Sequence, residues 1–164
     1  MIEWILIIVL VALDQISKYA VHTAMALGEA IPVIPGVFQL RHVHNDGAAF
    51  SILQGKQLFF TIISVIAIGI LIFFLLKTPK EKKWWRLAFA CFMAGTIGNF
   101  IDRLRLGYVE DFLDIHILPV FNLADMLLVG SVIGLCFLIF LDEWQKDKKS
   151  AAKGGKPAKR GNRS

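Results

Sequence analysis

The segment from Gln57 to Leu76 has the sequence QLFFTIISVIAIGILIFFLL, which is twenty residues without a charge. As an α-helix that rises ~1.5 Å per residue, it is long enough to cross the ~30 Å hydrocarbon core of a bilayer. Three further apolar segments have a similar length. The sequence therefore predicts four membrane spans, at about residues 2–21, 57–76, 84–101 and 121–141.

The composition excludes a disordered chain and argues against a soluble domain. Of 164 residues, 56% are hydrophobic and only 19% are charged. Too few polar residues remain to cover the core of a soluble domain of this size. We predict an all-α membrane protein with one four-helix transmembrane domain at residues 1–144. Residues 145–164 are rich in Lys, Gly and Ala without apolar periodicity, and we expect this basic tail to be disordered.

The first predicted span has one alternative interpretation, a cleaved signal peptide. Ala24-Met25-Ala26 resembles a cleavage site made of small residues. However, no Lys or Arg precedes the apolar run, and Asp14 interrupts it. We therefore favour a retained helix.

The basic residues predict the orientation in the membrane. Five of the 18 Lys and Arg residues lie in the loop at 77–86, and eight follow Glu143. Because cytoplasmic loops carry the excess of Lys and Arg, we expect both termini inside and loops 22–56 and 102–120 outside. The net charge of +5 then reflects topology, and nucleic acid is not an expected partner. The tail is either such a topology signal, which we favour, or a contact with anionic lipid.

Two carboxylates are predicted at the same depth near the outer ends of their helices. Asp102 lies about 27 Å up a helix from Trp84, and Asp125 lies about 26 Å up from Asp142. Helix depth alone therefore pairs Asp102 with Asp125. Asp111 follows in the outer loop and can fold back over the same level.

Each of the two helical aspartates has an asparagine three residues before it. Asn99 precedes Asp102 and Asn122 precedes Asp125, and residues at this spacing share a helix face. Carboxylates that converge in a poorly hydrated place cannot all ionise, so one of them keeps a proton. An acid beside a base is the arrangement of an aspartic protease.

Other functions explain these residues less well. The aspartates could be structural and pair with Arg103, Arg105 or Lys18. A transporter would place its carboxylates at several depths along a path, whereas these lie on one side of the membrane.

No metal site is predicted from the sequence. The His-Glu-x-x-His motif is absent, and His42 and His44 in a loop are interpreted as surface histidines. Cys91 and Cys136 lie in apolar helix, where a thiol is inert.

Two glycine pairs predict close helix packing. Gly130 and Gly134 form a Gly-x-x-x-Gly motif in the fourth span, and Gly95 and Gly98 lie in the third. Small residues let helix backbones approach each other closely, and we expect this contact within a monomer.

The outer segment at residues 31–50 contains Pro32, Pro35 and alternating apolar residues. This pattern predicts short strands that lie on the membrane surface and clamp a substrate. The alternative is a plain connecting loop.

Five polar motifs follow one another along the chain. They are Asp14-Gln15-x-Ser17-Lys18, Asn45-Asp46-Gly47-Ala48-Ala49-Phe50-Ser51, Gly98-Asn99-x-x-Asp102-Arg103, Val109-Glu110-Asp111-Phe112 and Phe121-Asn122-x-Ala124-Asp125. Together they resemble the lipoprotein signal peptidases, also called signal peptidase II, of bacterial inner membranes. The resemblance extends from the first span to about Leu141.

The resemblance implies an aspartic endopeptidase without metal or cofactor. Such an enzyme removes signal peptides from diacylglyceryl-modified prolipoproteins and cleaves before the lipidated cysteine. It is a multi-pass enzyme in contact with membrane lipid, its active site lies near the periplasmic face, and the cyclic peptide globomycin inhibits it. We expect a monomer.

The resemblance also implies roles for individual residues. It assigns catalysis to Asp111 and Asp125, and we follow it in preference to the depth-based pair. The supporting or substrate-binding residues would be Asp14, Lys18, Asn45, Gly47, Ala48, Asn99, Asp102, Arg103, Asn122 and Ala124. Only thirteen residues separate the two catalytic positions, which is short for this family. Asp114 is then a spare carboxylate without an assigned role.

The predicted topology can be tested with reporter fusions. Fusions after Pro79 and Ser150 are expected to report the cytoplasm, and fusions after Gly28 and Gly107 the outside, because most basic residues lie on the first side. A periplasmic signal from the fusion after Pro79 would contradict the predicted orientation of all four spans.

Overall fold

The structure, a computed structural model, describes residues 1–47 and 57–154. Its elements are α1 (Ile2–Ala24), β1 (Ala30–Ile34), β2 (Phe38–Asn45), α2 (Gln57–Lys77), α3 (Lys83–Arg105), β3 (Val109–Asp114) and α4 (Leu123–Gly154). Within these residues, four helices are long and apolar enough to cross a membrane, and three strands form one small sheet. The predicted fold class is therefore confirmed.

Helix α3 is the centre of the bundle and packs against α1, α2 and α4. Half of its most apolar window is buried, whereas the other three helices expose most of theirs. Small side chains make this possible, because Ala90 and Ala94 on α3 let Ile7 of α1 and Leu75 of α2 reach the same core. The outer helix faces remain apolar, as a lipid-facing surface requires.

The antiparallel sheet has the order β1-β2-β3 and lies at the end of the bundle where α1 ends and α4 begins. The predicted short strands are present as β1 and β2, which form a hairpin, and the turn between them contains Gly36 with a positive φ of 74°. Strand β3, which was expected only as outer loop, pairs with β2 so that Val43 lies opposite Asp111. Phe112 on β3 packs against Val21 of α1, which attaches the sheet to the bundle.

Arg86 connects three helices at the opposite end of the bundle. Its Nε donates to the Glu3 carboxylate of α1 at 2.6 Å. Its Nη1 donates to the carbonyls of Leu75 and Thr78, at the end of α2, at 2.8 and 2.7 Å. This clamp sets the spacing of α1, α2 and α3 on the side away from the sheet.

The glycine predictions have a mixed outcome. A Cβ at Gly95 would lie 2.5 Å from the Ala124 carbonyl oxygen, and one at Gly98 would lie equally close to Asp14, so close packing on α3 is confirmed. The expectation for Gly130 and Gly134 is wrong, because nothing in the described structure lies within 4 Å of a Cβ at either position. Both line an open groove between α3 and α4 instead.

Helix α4 continues to Gly154, beyond the predicted end of the span at residue 141. Residues 145–154 of the predicted tail therefore lie in the helix, and residues 155–164 lie outside the described residues. Gln, Lys and Ala are favourable helix residues, and Lys146 pairs with Glu143 one turn earlier at 2.7 Å.

The contact at Gly95 gives a stability prediction. Gly95→Ala places a methyl group against the α4 backbone, which cannot yield as a flexible side chain can. We expect a loss of about 1–3 kcal/mol in unfolding free energy, measured as a lower Tm of the purified protein. Gly69→Ala on α2 is the matched control, because nothing lies near its Cβ and alanine favours helix. Equal Tm values for the two variants would contradict this packing.

Candidate active site

A cavity of about 820 Å³ opens between the sheet and the adjoining ends of α3 and α4. Its polar lining includes Asn45, Asp46, Gly47, Asn99, Arg103, Asp111 and Asp125. The opposite wall is apolar and consists largely of Leu118, Pro119, Val120, Phe121, Met126, Leu128 and Val129. A substrate with one polar and one apolar side matches such a lining.

Asp125 is held at the first turn of α4 by a reciprocal pair of local hydrogen bonds. Asn122 is the residue before the helix, and its Oδ1 accepts from the Asp125 backbone N–H at 2.9 Å. Oδ2 of Asp125 accepts in return from the Asn122 backbone N–H at 3.2 Å. This is a capping box, and the helix N-terminus favours a negative charge there. Asn99 on α3 donates to the remaining oxygen, Oδ1, at 2.7 Å.

Asp111 reaches the same cavity from β3. The Asn122 side-chain amide donates to its Oδ1 at 2.6 Å, and the Asn45 amide on β2 donates to its Oδ2 at 2.8 Å. Asn122 therefore contacts both carboxylates, Asp111 through its side chain and Asp125 through its backbone. The two aspartates are held next to one another although they come from a strand and a helix.

The environment of Asp111 changes its acidity. Burial, and after it the nearby charge of Asp125, raise the pKa of Asp111 to about 7. The amides of Asn45 and Asn122 oppose this rise but do not cancel it. Asp111 can therefore carry a proton near neutral pH beside a second carboxylate, which is the condition for paired acid and base chemistry.

A buried ion cluster lies behind the cavity. The Lys18 ammonium contacts Oδ2 of Asp14 at 2.9 Å, Oδ2 of Asp102 at 2.8 Å and Oδ1 of Asn99 at 2.9 Å. Oδ1 of Asp14 accepts from the Ala124 backbone N–H at 2.9 Å, so α1 caps the first turn of α4. Asp14 and Lys18 therefore do not line the cavity but connect the helices that do.

Of the three cations considered as partners of the aspartates, Asp102 contacts one. Its ion pair is with Lys18 on α1, and not with Arg103 or Arg105 on its own helix. Its other oxygen accepts from the Gln15 side-chain amide at 2.8 Å. Asp102 points from α3 toward α1, where Lys18, one helical turn beyond Asp14, reaches its carboxylate.

Arg103 lies at the cavity wall without a carboxylate partner among the described residues. Its guanidinium lies over the Phe60 ring at 5.3 Å, and Nη1 donates to the Asn99 carbonyl at 3.4 Å. Its Nε is buried without a hydrogen bond within the described ranges 1–47 and 57–154.

The remaining predicted residues have different positions. Gly47 lines the cavity and its N–H donates to Asn45 Oδ1 at 3.0 Å, whereas Ala48 lies outside the described residues. Ala124 is fully buried against α3. Asp114 accepts from Gln39 at 2.7 Å, which lowers its pKa, and so joins β2 to β3 away from the cavity.

The structure brings together one cluster of side chains that was not predicted from the sequence. His22, His42 and His44 converge on the buried carboxylate of Glu110. The expectation of surface histidines is wrong for His42, which is 3% exposed. The signal was present, because residues 42 and 44 share one face of a strand.

Comparison with known proteins shows the family of the chain. The family described as Signal peptidase (SPase) II matches residues 6–141. The lipoprotein signal peptidase of Enterococcus faecalis is 46% identical over 149 residues, 90% of this chain and 89% of that protein. The lipoprotein signal peptidase of Streptococcus pyogenes is 47% identical and covers 84% of this chain and 91% of that protein.

Two solved structures are also similar. One, described as a bacterial membrane enzyme structure at 2.3 Å resolution, has a TM-score of 0.84 and 35% identity over 88% of this chain and 90% of that chain. A second, at 1.9 Å resolution, has a TM-score of 0.78 and 35% identity, and covers 84% of this chain and 91% of that chain.

The raised pKa of Asp111 gives a prediction about stability. The folded protein binds this proton up to about pH 7, whereas an unfolded aspartate loses it near its ordinary pKa of 3.8. The contribution of this proton to the unfolding free energy of the wild type is therefore fully present below about pH 4. It is lost as pH rises to about 7. Relative to Asp111→Asn, the wild type should lose up to about 1.4 kcal/mol per pH unit in that window.

The measurement is the Tm of both proteins between pH 4 and 8. Asp114→Asn, on the same strand, is the control, because a carboxyl with a lowered pKa stays ionised between pH 5 and 8. A difference between wild type and Asp111→Asn that does not change with pH would contradict a protonated Asp111.

Proposed function

This chain belongs to the signal peptidase II family, and we propose that it removes the signal peptides of lipoprotein precursors as an aspartic endopeptidase. The catalytic residues are Asp111 and Asp125. The observation that carries this assignment is Asn122, which holds one oxygen of each aspartate at the wall of the same cavity.

The contacts of the three candidate aspartates favour Asp111 over Asp102 as the partner of Asp125. Both oxygens of Asp102 are engaged by Lys18 and Gln15, and it does not line the cavity. With both oxygens engaged in this way, Asp102 presents none of them to a substrate or a water in the cavity. Within the described ranges, the side-chain donors to Asp111 are the neutral amides of Asn45 and Asn122, which leave its proton free to move.

The proposed reaction is the addition of water to the scissile peptide carbonyl. Asp125 takes a proton from water as the oxygen attacks the carbonyl carbon, and Asp111 donates its proton to the carbonyl oxygen. When the tetrahedral intermediate collapses, the C–N bond breaks and the carbonyl re-forms. Asp111 then regains its proton, and Asp125 gives its proton to the leaving amine. Both carboxyls return to their starting states.

The cavity lining supports a lipid-modified substrate. The apolar wall near Met126 and Val129 continues onto the lipid-facing surface of α4, so a diacylglyceryl group can remain in lipid while the peptide bond reaches the aspartates. This arrangement fits a diacylglyceryl-modified prolipoprotein cleaved before its lipidated cysteine. Asn99, Arg103 and Gly47 are placed to bind the peptide backbone. Globomycin, a cyclic peptide, would occupy the same cavity.

The proposed location is the bacterial inner membrane. The cavity and sheet lie at one end of the bundle, and the basic loop at residues 77–86 lies at the other. Because the basic end is expected in the cytoplasm, the catalytic pair would lie near the periplasmic face with both termini inside.

Substitution of the aspartates tests the mechanism. Asp111→Asn and Asp125→Asn should each lower cleavage of a lipidated prolipoprotein by about 10³-fold or more, because an amide cannot transfer the proton. The double variant should be no worse than either single one, since the pair acts as a unit. Asp114→Asn should keep most activity, because Asp114 lies away from the cavity.

Wild-type activity should follow a bell-shaped pH profile and fall above about pH 7, where Asp111 loses its proton.

Asp102→Asn separates structure from catalysis. It leaves Lys18 with one fewer buried counter-charge and should lower the Tm more than it lowers the turnover of the folded protein. Substantial activity in Asp111→Asn together with a stably folded but inactive Asp102→Asn would overturn the assignment and favour the Asp102–Asp125 pair.

A further inference from the structure

We propose that His22, His42, His44 and Glu110 form a zinc site that joins α1 to the sheet. The four ligand atoms come from three elements and all lie within 4.8 Å of one another. The proposed site is separate from the aspartate pair and does not depend on the proposed function.

The geometry centres on the Glu110 carboxylate, which is 2% exposed. Nδ1 of His22 lies 2.8 Å from Oε1, and Nε2 of His42 lies 2.8 Å from Oε2. Nε2 of His44 lies 3.8 Å from Oε1 and is buried without a hydrogen bond to any described residue. Three imidazole nitrogens thus converge on one buried carboxylate.

The hydrogen bond of His42 to the main chain indicates a cation at this point. Its Nδ1 lies 3.1 Å from the carbonyl oxygen of Met25, which can only accept, so Nδ1 carries the hydrogen. In a neutral ring with this tautomer, Nε2 of His42 is a hydrogen-bond acceptor. The Glu110 carboxylate oxygen that it faces is an acceptor as well. Two such atoms at 2.8 Å repel each other unless a proton or a metal ion lies between them.

A metal ion satisfies the whole cluster better than protons do. Three imidazolium rings whose ligand nitrogens lie within 4.8 Å of one another would repel. A proton on His42 alone leaves Nε2 of His44 without a hydrogen bond to any described residue. One divalent ion can be coordinated by all three imidazole nitrogens and one carboxylate oxygen at once. The bond from Nδ1 of His42 to the Met25 carbonyl is also the outer contact that orients metal-binding histidines.

The ligand set matches zinc. Imidazole nitrogens and a carboxylate oxygen are zinc ligands at about 2.0–2.2 Å, which places tetrahedral ligand atoms about 3.3 Å apart. Shifts of roughly 1 Å in the rings would therefore close the shell around an ion. The His22 side chain is half exposed, so an ion can enter from solvent.

The role of this site is structural. Four protein ligands complete a tetrahedral shell and leave no position for a reacting water. Glu110 and Asp111 are neighbours on β3, so their side chains point to opposite faces of the sheet. An ion on the Glu110 face would fix β3 against α1 and thereby support Asp111. Of the four ligands, His44 also lines the cavity, and binding of the ion would fix its ring there.

Metal binding by the full-length protein, purified without a histidine tag and stripped with a chelator, tests the proposal. Titration calorimetry with Zn²⁺ should show one site per chain with a Kd of about 1 μM or tighter. X-ray absorption should show nitrogen and oxygen ligands at about 2.0–2.1 Å with three imidazoles. His22→Ala and His42→Gln should each weaken binding at least about tenfold.

His116→Asn is the matched control. This histidine is outside the cluster, and asparagine tolerates its positive φ of 63°. Zn²⁺ should raise the Tm of wild type and His116→Asn but not that of the cluster variants. Cleavage by the chelated enzyme should persist well below its Tm.

Three results would overturn the site. They are the absence of saturable binding, equal affinity in wild type and His22→Ala, and a Tm that responds to acid but not to Zn²⁺.

Discussion

The architecture of the active site depends on one buried ammonium group. Lys18 lies between Asp14 and Asp102 and also contacts Asn99, and all four side chains are buried. Removing these charges from water costs several kcal/mol per ion, which only close pairing and full hydrogen bonding can offset. The cluster joins α1 to α3 directly, and to α4 through the bond from the Ala124 N–H to Asp14. The position of α4, and hence of its first turn, follows from this contact.

Four aspartates near this end of the bundle have different chemistry because their partners differ. Asp14 and Asp102 each contact the Lys18 ammonium. Asp111 and Asp125 receive hydrogen bonds from asparagine amides and backbone N–H groups, which orient a carboxyl without a compensating positive charge. Burial then raises the pKa of Asp111 to about 7, within reach of a proton transfer at neutral pH. The ion cluster holds the position, and the amide-held pair remains free to react.

The sequence by itself determined those features that depend on local geometry. The four spans follow from the length and hydropathy of continuous segments, and all four agree with the observed helices near their starting residues. Asn122 and Asp125 form their capping box through bonds across three residues, so the motif alone contains it. The alternating segment that begins at Ile31 contains most of β1 and all of β2, which form the hairpin. Local hydrogen bonds and hydrophobic periodicity operate over one or two turns, which is the range a sequence pattern can report.

The tertiary structure alone decided which distant groups meet. Helix depth placed Asp102 correctly near the sheet end, but depth contains no information on the rotation of a helix about its axis. That rotation turned Asp102 toward Lys18, 84 positions earlier in the chain, and away from the cavity. Strand β3 lacks clean alternation, and its pairing with β2 brought Asp111 to the cavity and Glu110 to the histidines. Such contacts are set by the packing of whole elements, which is a property of the assembled bundle and not of any segment.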